Sequence, residues 1–302
     1  MQSPGVSAED RQRDLLRKVR RIQIRTEHLI RDLFAGQYTS AFKGRGIAFS
    51  EVREYIPGDD IRMIDWNVTA RMNSPYVKQF VEERELTLIL LVDLSRSGWF
   101  GSGHRSKRDL AIEIASILAF SAIQNNDRVG LILFTDRIES YVPPRKGSSH
   151  GLRLIRDLLF YEPAGSGTRI RVALDFLNLV SRRRAVVFLI SDFQSADLEM
   201  ALPVTSKRHD LVPVRIIDPL EERWPRLGLV ELEDLETGER LVWDSGSRKS
   251  AEAFVADSKT QADRLKRLFA SLKLDTLTFR TDQSVVEPLR KFFLMRRRRQ
   301  AR

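Results

Sequence analysis

The sequence predicts a doubly wound α/β protein with a mostly parallel central sheet and Rossmann-type layering. Short continuous runs of valine, isoleucine and leucine, such as those in residues 86–93 and 184–192, are typical of strands buried on both faces. Segments with apolar residues at helical spacing, such as residues 108–124, follow these runs. Alternation of buried strands with amphipathic helices indicates a parallel sheet that helices cover on both faces.

Residues 86–218 carry this alternation and form the predicted main domain. Strands are predicted at residues 86–93, 127–136, 184–192 and 209–218, with an edge strand at 138–144 that two prolines end. Helices are predicted at residues 108–124, 148–162, 169–181 and 197–208.

An extension is predicted on each side of the main domain. Residues 1–85 combine an amphipathic helix over residues 8–35 with a turn-rich, irregular segment. Residues 219–302 form an α+β extension. Its predicted elements are a hairpin within 219–247, a polar helix at 251–272, a strand at 274–281, and a C-terminal helix with a basic tail.

The composition excludes several classes of protein. The chain has no cysteine, which rules out disulfides, zinc–thiolate sites and thiol catalysis. Its first residues lack the apolar core of a secretion signal. No apolar run approaches the ~20 residues that a membrane helix needs. We therefore expect a soluble, cytoplasmic protein without a transmembrane segment.

The net charge of +10 is concentrated near the two ends of the chain. Five arginines lie in residues 296–302. Basic stretches interleaved with aromatic residues, as single-strand nucleic-acid binders have, are absent from the sequence, so a nucleic-acid partner is not expected. The basic ends are expected to be solvated, and the alternative is contact with a membrane surface or an acidic partner.

Oxygen-bearing side chains follow several strands of the predicted sheet. Asp93, Ser95 and Ser97 come at the end of the first buried strand, Thr168 lies in a glycine-bearing loop, and Asp192 ends another strand. Ligands of open α/β sheets bind outside the carboxyl ends of the strands, so we expect these side chains to meet there. Carboxylate and hydroxyl oxygens suit Mg²⁺ or Mn²⁺. The alternative is that each side chain only caps the helix that follows it.

The motif DLSRS at residues 93–97, with Thr168 and Asp192 downstream, resembles the metal-ion-dependent adhesion site of von Willebrand factor A domains. The resemblance covers roughly residues 86–220. It implies that the two serines and the threonine bind the ion directly or through water, while the two aspartates anchor waters. An ion with mostly neutral ligands seeks an outside carboxylate, so the resemblance implies binding rather than catalysis. Arg169, at a position where related domains frequently carry an acidic residue, would either weaken metal affinity or clamp an incoming carboxylate.

Residues 53–66, with the sequence REYIPGDDIRMIDW, are a second distinctive segment. Its Pro-Gly-Asp-Asp sequence is strong turn chemistry. We expect an ion-pair lattice here, with Trp66 packed beneath it. Its charged members are Arg53, Asp59, Asp60, Arg62, Asp65 and Arg71. The lattice either attaches the N-terminal segment to the α/β domain or forms a partner-binding surface.

The longer pattern of residues 44–71 is similar to the signature of the bacterial domain-of-unknown-function 58 (DUF58) family. That family joins such a segment to a von Willebrand A-like domain, and the resemblance runs from about residue 35 to 220 and beyond. Its members are often encoded beside AAA+ ATPases of the MoxR type. The resemblance therefore implies a chaperone-like or complex-assembly role with that ATPase as partner.

Together these patterns favour a non-enzymatic interaction module that presents a divalent metal to an acidic residue of a partner. The alternative is an interaction protein with a decayed metal site that uses the surface of residues 53–66. An enzyme is not favoured. Asp93 and Asp192 lack an obvious acid–base partner, Ser95 stands where haloacid-type phosphatases carry a second carboxylate, and the loop at residues 164–168 lacks the GK[ST] ending of a phosphate-binding loop.

Overall fold

The computed structural model describes residues 48–72, 74–81, 86–195 and 197–300. These residues belong to two compact units. One unit lies within Phe42–Leu86, and the other comprises the described chain from Thr87 onward. The helix predicted over residues 8–35 lies outside the described residues.

The smaller unit is built on a two-stranded antiparallel sheet of β1 (Ala48–Glu54) and β2 (Tyr76–Val81). A 3-10 helix (Ile61–Met63) and α1 (Trp66–Met72) lie between the two strands in the chain. The Asp65 N–H donates to the Tyr76 carbonyl at 2.8 Å, and this bond joins the start of α1 to β2.

The described part of the larger unit has eight strands, six of which form one sheet. In chain order the eight are β3 (Thr87–Asp93), β4 (Arg128–Phe134), β5 (Ile138–Arg145), β6 (Val186–Ser191), β7 (Asp210–Ile217), β8 (Leu229–Glu233), β9 (Arg240–Asp244) and β10 (Leu277–Arg280). The six-stranded sheet has the order β10-β7-β6-β3-β4-β5. All its neighbours are parallel except the edge pair β4–β5. Strands β8 and β9 pair with each other as an antiparallel hairpin.

Helices alternate with these strands, and this confirms the predicted α/β fold class with its mostly parallel sheet. They are α2 (Lys107–Gln124), α3 (Ser148–Phe160), α4 (Ile170–Val180), α5 (Leu198–Arg208), α6 (Pro219–Glu222), α7 (Arg248–Ser271) and α8 (Val286–Gln300). A 3-10 helix (Arg96–Trp99) follows β3 directly. Across the described residues, no helix combines the length and the apolar character needed to cross a membrane.

Strands β3 and β6 lie at the centre of the sheet, and this position accounts for their sequences. Both are buried along almost their whole length. A strand covered on both faces needs a continuous apolar run rather than an alternating one. The polar side chains at the ends of the apolar runs, Asp93 on β3 and Ser191 on β6, therefore come where the two strands leave the interior at the same edge of the sheet.

Strand β5 lies at the sheet edge as predicted, but the two prolines do not end it. The strand continues through Pro143 and Pro144 to Arg145, which pairs with Val129. An edge strand tolerates proline because one side of it needs no ladder hydrogen bonds. Gly130 on β4 makes room for the ring, since a Cβ there would lie 2.8 Å from Pro144 Cγ.

The C-terminal extension contributes to the main sheet through β10, which pairs with β7 in parallel. The arginine run that follows is helical rather than a free tail, because α8 extends to Gln300. Arg296 is only 8% exposed, and its guanidinium pairs with Asp210 at 2.7 Å and with Asp275 at 2.9 Å. The expectation of a wholly solvated basic end is therefore wrong for Arg296, because this residue is buried and pairs with two aspartates.

Candidate metal centre

The polar residues that follow β3 and β6 lie side by side because the two strands are parallel neighbours. The pairing register sets Val92 opposite Ile190. Asp93 therefore lies beside Ser191, and Asp192 comes immediately beyond. The carboxyl edge of adjacent strands is the usual ligand position in an open α/β sheet.

The Asp93 carboxylate is held in a fixed orientation from both sides. One oxygen accepts the Ser95 N–H at 2.9 Å, and the other accepts the Ser191 hydroxyl at 2.7 Å. The residue is 9% exposed. Burial, and then the negative charge of Asp192, raise the pKa of the Asp93 carboxyl to about 7. A cation beside these two carboxylates would relieve the repulsion between them.

The hydroxyl oxygens of Ser95 and Ser97 lie 3.0 Å apart. Both side chains line a cavity of about 20 Å³ together with Asp93, Ser191 and Asp192. A cavity of this size holds one water molecule or one small ion. Four of the five predicted metal residues therefore meet at one small space, which Lys107, Arg108 and apolar side chains also line. The oxygen atoms of these four residues fit Mg²⁺ or Mn²⁺.

Helix capping does not account for these side chains. Ser106, with Asp109, caps α2 in a capping box. Ser95 precedes the 3-10 helix but makes no side-chain capping bond, and Asp197 rather than Asp192 precedes α5. The Asp192 carboxylate instead accepts the Gln194 N–H at 3.2 Å in a local turn.

Lys107, at the start of α2, places a buried ammonium beside the cavity. Its Nζ lies 2.7 Å from Asp192 Oδ2 and 2.6 Å from Glu221 Oε1. Burial alone would lower its pKa, but the carboxylates of Asp192 and Glu221 raise the pKa of Lys107 above its ordinary value. A fixed positive charge therefore pairs with one of the two predicted metal aspartates, and a divalent ion would share Asp192 with it.

Thr168 lies on a loop that the Glu139 side chain organises. The Glu139 carboxylate accepts the N–H groups of Ala164 at 3.1 Å and Gly165 at 2.8 Å, and the Thr135 hydroxyl at 2.7 Å. Although burial opposes it, these bonds hold the pKa of Glu139 below its ordinary value. The ionised Glu139 carboxylate thus holds the loop against the start of β5 by hydrogen bonds.

The same loop contacts the turn that follows β3, because the Arg96 N–H donates to the Ser166 carbonyl at 3.0 Å. Thr168 itself does not line the small cavity. Its hydroxyl donates to Glu236 Oε1 at 2.7 Å, and its N–H donates to Glu236 Oε2 at 3.3 Å. The neighbouring Arg169 is exposed, and its backbone N–H donates to the Thr135 carbonyl.

Four residues that shape this site were missed by the sequence argument: Ser191, Lys107, Glu139 and Glu236. Ser191 precedes a predicted ligand directly, so its place at the strand end was a usable signal. Lys107 and Glu139 are single charged residues without a motif, and Glu236 is 68 positions from its partner. Their roles depend on tertiary packing.

In the smaller unit, part of the predicted ion-pair lattice is present. Arg53 binds Asp59 through two bonds of 2.7 Å each. Asp60 Oδ1 accepts the Arg62 N–H at 3.0 Å and caps the 3-10 helix, and Asp65 pairs with Lys78 at 3.5 Å.

The rest of the predicted lattice is not formed. Within the described residues, the side chains of Arg62 and Arg71 make no ion pair. Trp66, the first residue of α1, does not pack beneath the charges but is 67% exposed. Ile56 and Ile61 are exposed as well.

The fold and this edge site define a doubly wound α/β protein with a cluster of carboxylates and hydroxyls at the carboxyl end of its sheet. The chain belongs to the family described as "Protein of unknown function DUF58", whose model matches residues 51–264. The DUF58 resemblance is thereby confirmed.

Relatives extend over most of the chain. The Mycobacterium tuberculosis protein named "Uncharacterized protein Rv1480" is 30% identical over 283 residues, which cover 93% of this chain and 89% of the relative. The Bacillus subtilis protein YeaD is 24% identical over 149 residues, covering 49% of this chain and 35% of the relative.

Two solved structures are also similar. BatB from Bacteroides thetaiotaomicron has 18% identity and a TM-score of 0.45, covering 72% of this chain and 98% of that one. The SpRpn10 VWA domain has 14% identity and a TM-score of 0.35, covering 68% and 93% of the two chains.

Proposed function

We propose that the protein is a non-enzymatic interaction module that binds an acidic side chain of a partner through a divalent metal, Mg²⁺ or Mn²⁺. The observation that carries this proposal is the small cavity at which Asp93, Ser95, Ser97 and Asp192 meet. The hydroxyls and carboxylates of these four residues are hard oxygen donors of the kind that Mg²⁺ and Mn²⁺ prefer, and a bound ion would share Asp192 with the Lys107 ammonium.

In this proposal Ser95 and Ser97 would hold the ion and Asp93 and Asp192 would anchor its waters. Thr168 would join them only if its hydroxyl left Glu236. The bound ion supplies a positive charge that attracts a carboxylate. The chain's own residues keep the Asp93 carboxylate in place, since the Ser191 hydroxyl and the Ser95 N–H both donate to it.

The partner class follows from the family resemblance. In this proposal the module binds an acidic client protein, and a MoxR-type AAA+ ATPase acts on the resulting complex. The site lies in a part of the chain that the family model covers, so the proposal extends to the relatives that share the motif.

The test is titration of Mn²⁺ into the parent protein and into Asp93→Asn, followed by calorimetry. Asparagine keeps the size of the side chain but removes the charge, so affinity should fall about 10- to 100-fold. Asp175→Asn is the matched control, because Asp175 is an exposed carboxylate on α4 that pairs only with its helix neighbour Arg171 among described residues. A purified MoxR-type ATPase from the same genome should then bind the parent protein more tightly in Mg²⁺ than in EDTA.

The second candidate is an interaction protein that works without a metal through the surface of residues 53–66. Two observations favour it: Lys107 already pairs with Asp192, and Ile56, Ile61 and Trp66 are exposed on the smaller unit. This candidate predicts that Mn²⁺ does not bind the parent protein and that Trp66→Ala weakens ATPase binding, with or without EDTA.

A further inference from the structure

The tip of the β8–β9 hairpin is a rigid turn that presents Glu236. The Asp234 carboxylate accepts the N–H groups of Glu236 at 2.7 Å and Thr237 at 3.0 Å. Gly238 adopts a φ of +75°, and its N–H donates to the Asp234 carbonyl at 2.7 Å. Glu236 is half-buried, whereas the other residues of the turn are exposed.

Both carboxylate oxygens of Glu236 are directed onto Thr168. Oε1 accepts the threonine hydroxyl and Oε2 accepts the threonine N–H, at 2.7 and 3.3 Å. Because the two carboxylate oxygens accept from two donors of the same residue, the contact fixes the orientation of the Glu236 carboxylate.

Glu236 also shares space with the candidate metal centre. A cavity of about 420 Å³ is lined by Glu236 and Leu235 from the hairpin and by Ser97 and Lys107 from the site. The hairpin is anchored nearby, because Trp243 of β9 packs edge-on against Trp224 with ring centroids 6.0 Å apart. A carboxylate from the chain itself thus lines a cavity that Ser97 and Lys107 of the site also line.

We propose that Glu236 is a carboxylate ligand supplied in cis, which occupies the position that a partner's acidic side chain takes and must be displaced by it. This inference rests on the proposed function, because only a site that attracts carboxylates gives the contact this meaning. A tethered competitor reduces the apparent affinity for an outside ligand. The apparent association constant equals the intrinsic one multiplied by the fraction of molecules in which the competitor is displaced. Partner binding would therefore depend on release of the hairpin tip from Thr168.

The first test measures the contact without any metal. Hydrogen–deuterium exchange in EDTA should be slow at the Thr168 N–H of the parent protein and about tenfold faster in Glu236→Ala. Glu239→Ala is the matched control, since Glu239 lies in the same turn but its side chain is exposed. Equal exchange in the parent protein and Glu236→Ala overturns the inference.

The second test uses bound Mn²⁺ and acetate as the probe. Mn²⁺ at the site should broaden the acetate methyl resonance, and the acetate concentration for half-maximal broadening should be about tenfold lower in Glu236→Ala than in Glu239→Ala. If Mn²⁺ binds all three proteins and acetate responds equally, only the inference fails. If Mn²⁺ does not bind the parent protein, the proposed function fails and the ligand role of Glu236 falls with it.

Discussion

At the scale of single residues, charge balance decides how this site behaves. The negative charge of Asp192 helps to raise the pKa of Asp93, and Lys107 pairs directly with only one of the two aspartates, Asp192. The neutral hydroxyls of Ser95 and Ser97 add oxygen atoms without adding charge. A divalent ion would therefore neutralise the negative charge that remains at the site. The Lys107 ammonium reduces how much negative charge is left for the ion to neutralise.

Replacement of Lys107 by methionine tests this balance. The methionine keeps the length of the side chain but leaves Asp192 and Glu221 without their buried cation, so the free energy of unfolding in EDTA should fall by about 3 kcal/mol. Addition of Mg²⁺ should stabilise Lys107→Met more than the parent protein, because the metal no longer shares Asp192 with an ammonium. Urea unfolding with and without Mg²⁺ measures both effects.

Lys207→Met is the matched control for this substitution, since Lys207 is exposed on α5. Its stability should change by less than about 0.5 kcal/mol. Equal stabilisation by Mg²⁺ in Lys107→Met and in the parent protein would show that Lys107 does not compete with the metal.

At the scale of elements, two irregular segments meet above the strand ends. The loop that ends at Thr168 is held to the start of β5 by Glu139, and the hairpin tip is held in shape by Asp234. Each carboxylate binds N–H groups of its own or a neighbouring segment, so both segments keep one conformation without regular structure. Ordered loops on a rigid sheet are where binding residues usually lie.

Substitution of Gly165 by alanine tests the loop. A Cβ at Gly165 would lie 2.2 Å from both Asp136 Oδ1 and Thr135 Oγ1, so either these side chains or the loop must shift. We expect a loss of about 1–3 kcal/mol in the free energy of unfolding and weaker Mn²⁺ binding as Thr168 moves. Gly103→Ala is the control, because a Cβ there would meet nothing within 4 Å. Unchanged Mn²⁺ affinity in Gly165→Ala would show that metal binding does not depend on the position of this loop.

At the scale of the whole molecule, the strands of the parallel sheet and the polar residues at their ends were open to prediction from sequence, whereas contacts between distant segments were not. Continuous apolar runs mark the central strands, and the polar residue that ends each run is local information, so Asp93 and Asp192 could be placed together. Lys107 stands at the start of a helix, and nothing in the neighbouring sequence indicates its ion pairs with Asp192 and Glu221. Glu236 meets Thr168 only because the hairpin packs beside the sheet. Trp66 was placed wrongly because an aromatic residue next to charges gives no sign of which way its helix faces.

The arginine run at the C-terminus carries the last prediction, because it combines a structural role with a surface role. Arg296 binds Asp210 on β7 and Asp275 before β10, and it lies over the Phe292 ring at 5.1 Å. Arg296→Met should therefore cost about 3 kcal/mol of unfolding free energy, since two aspartates lose a buried partner.

Arg297→Met, one residue further along α8, is the matched control. Arg297 is exposed, so the free energy of unfolding should change by less than about 0.5 kcal/mol. Binding to anionic vesicles should show the opposite order, because an exposed arginine near a lipid surface contributes about 1 kcal/mol and a paired, buried one contributes little. Urea unfolding and vesicle sedimentation of the two variants measure these effects. Equal stability losses in both variants would contradict the assignment of Arg296 to the core, because the position in the helix would then not matter.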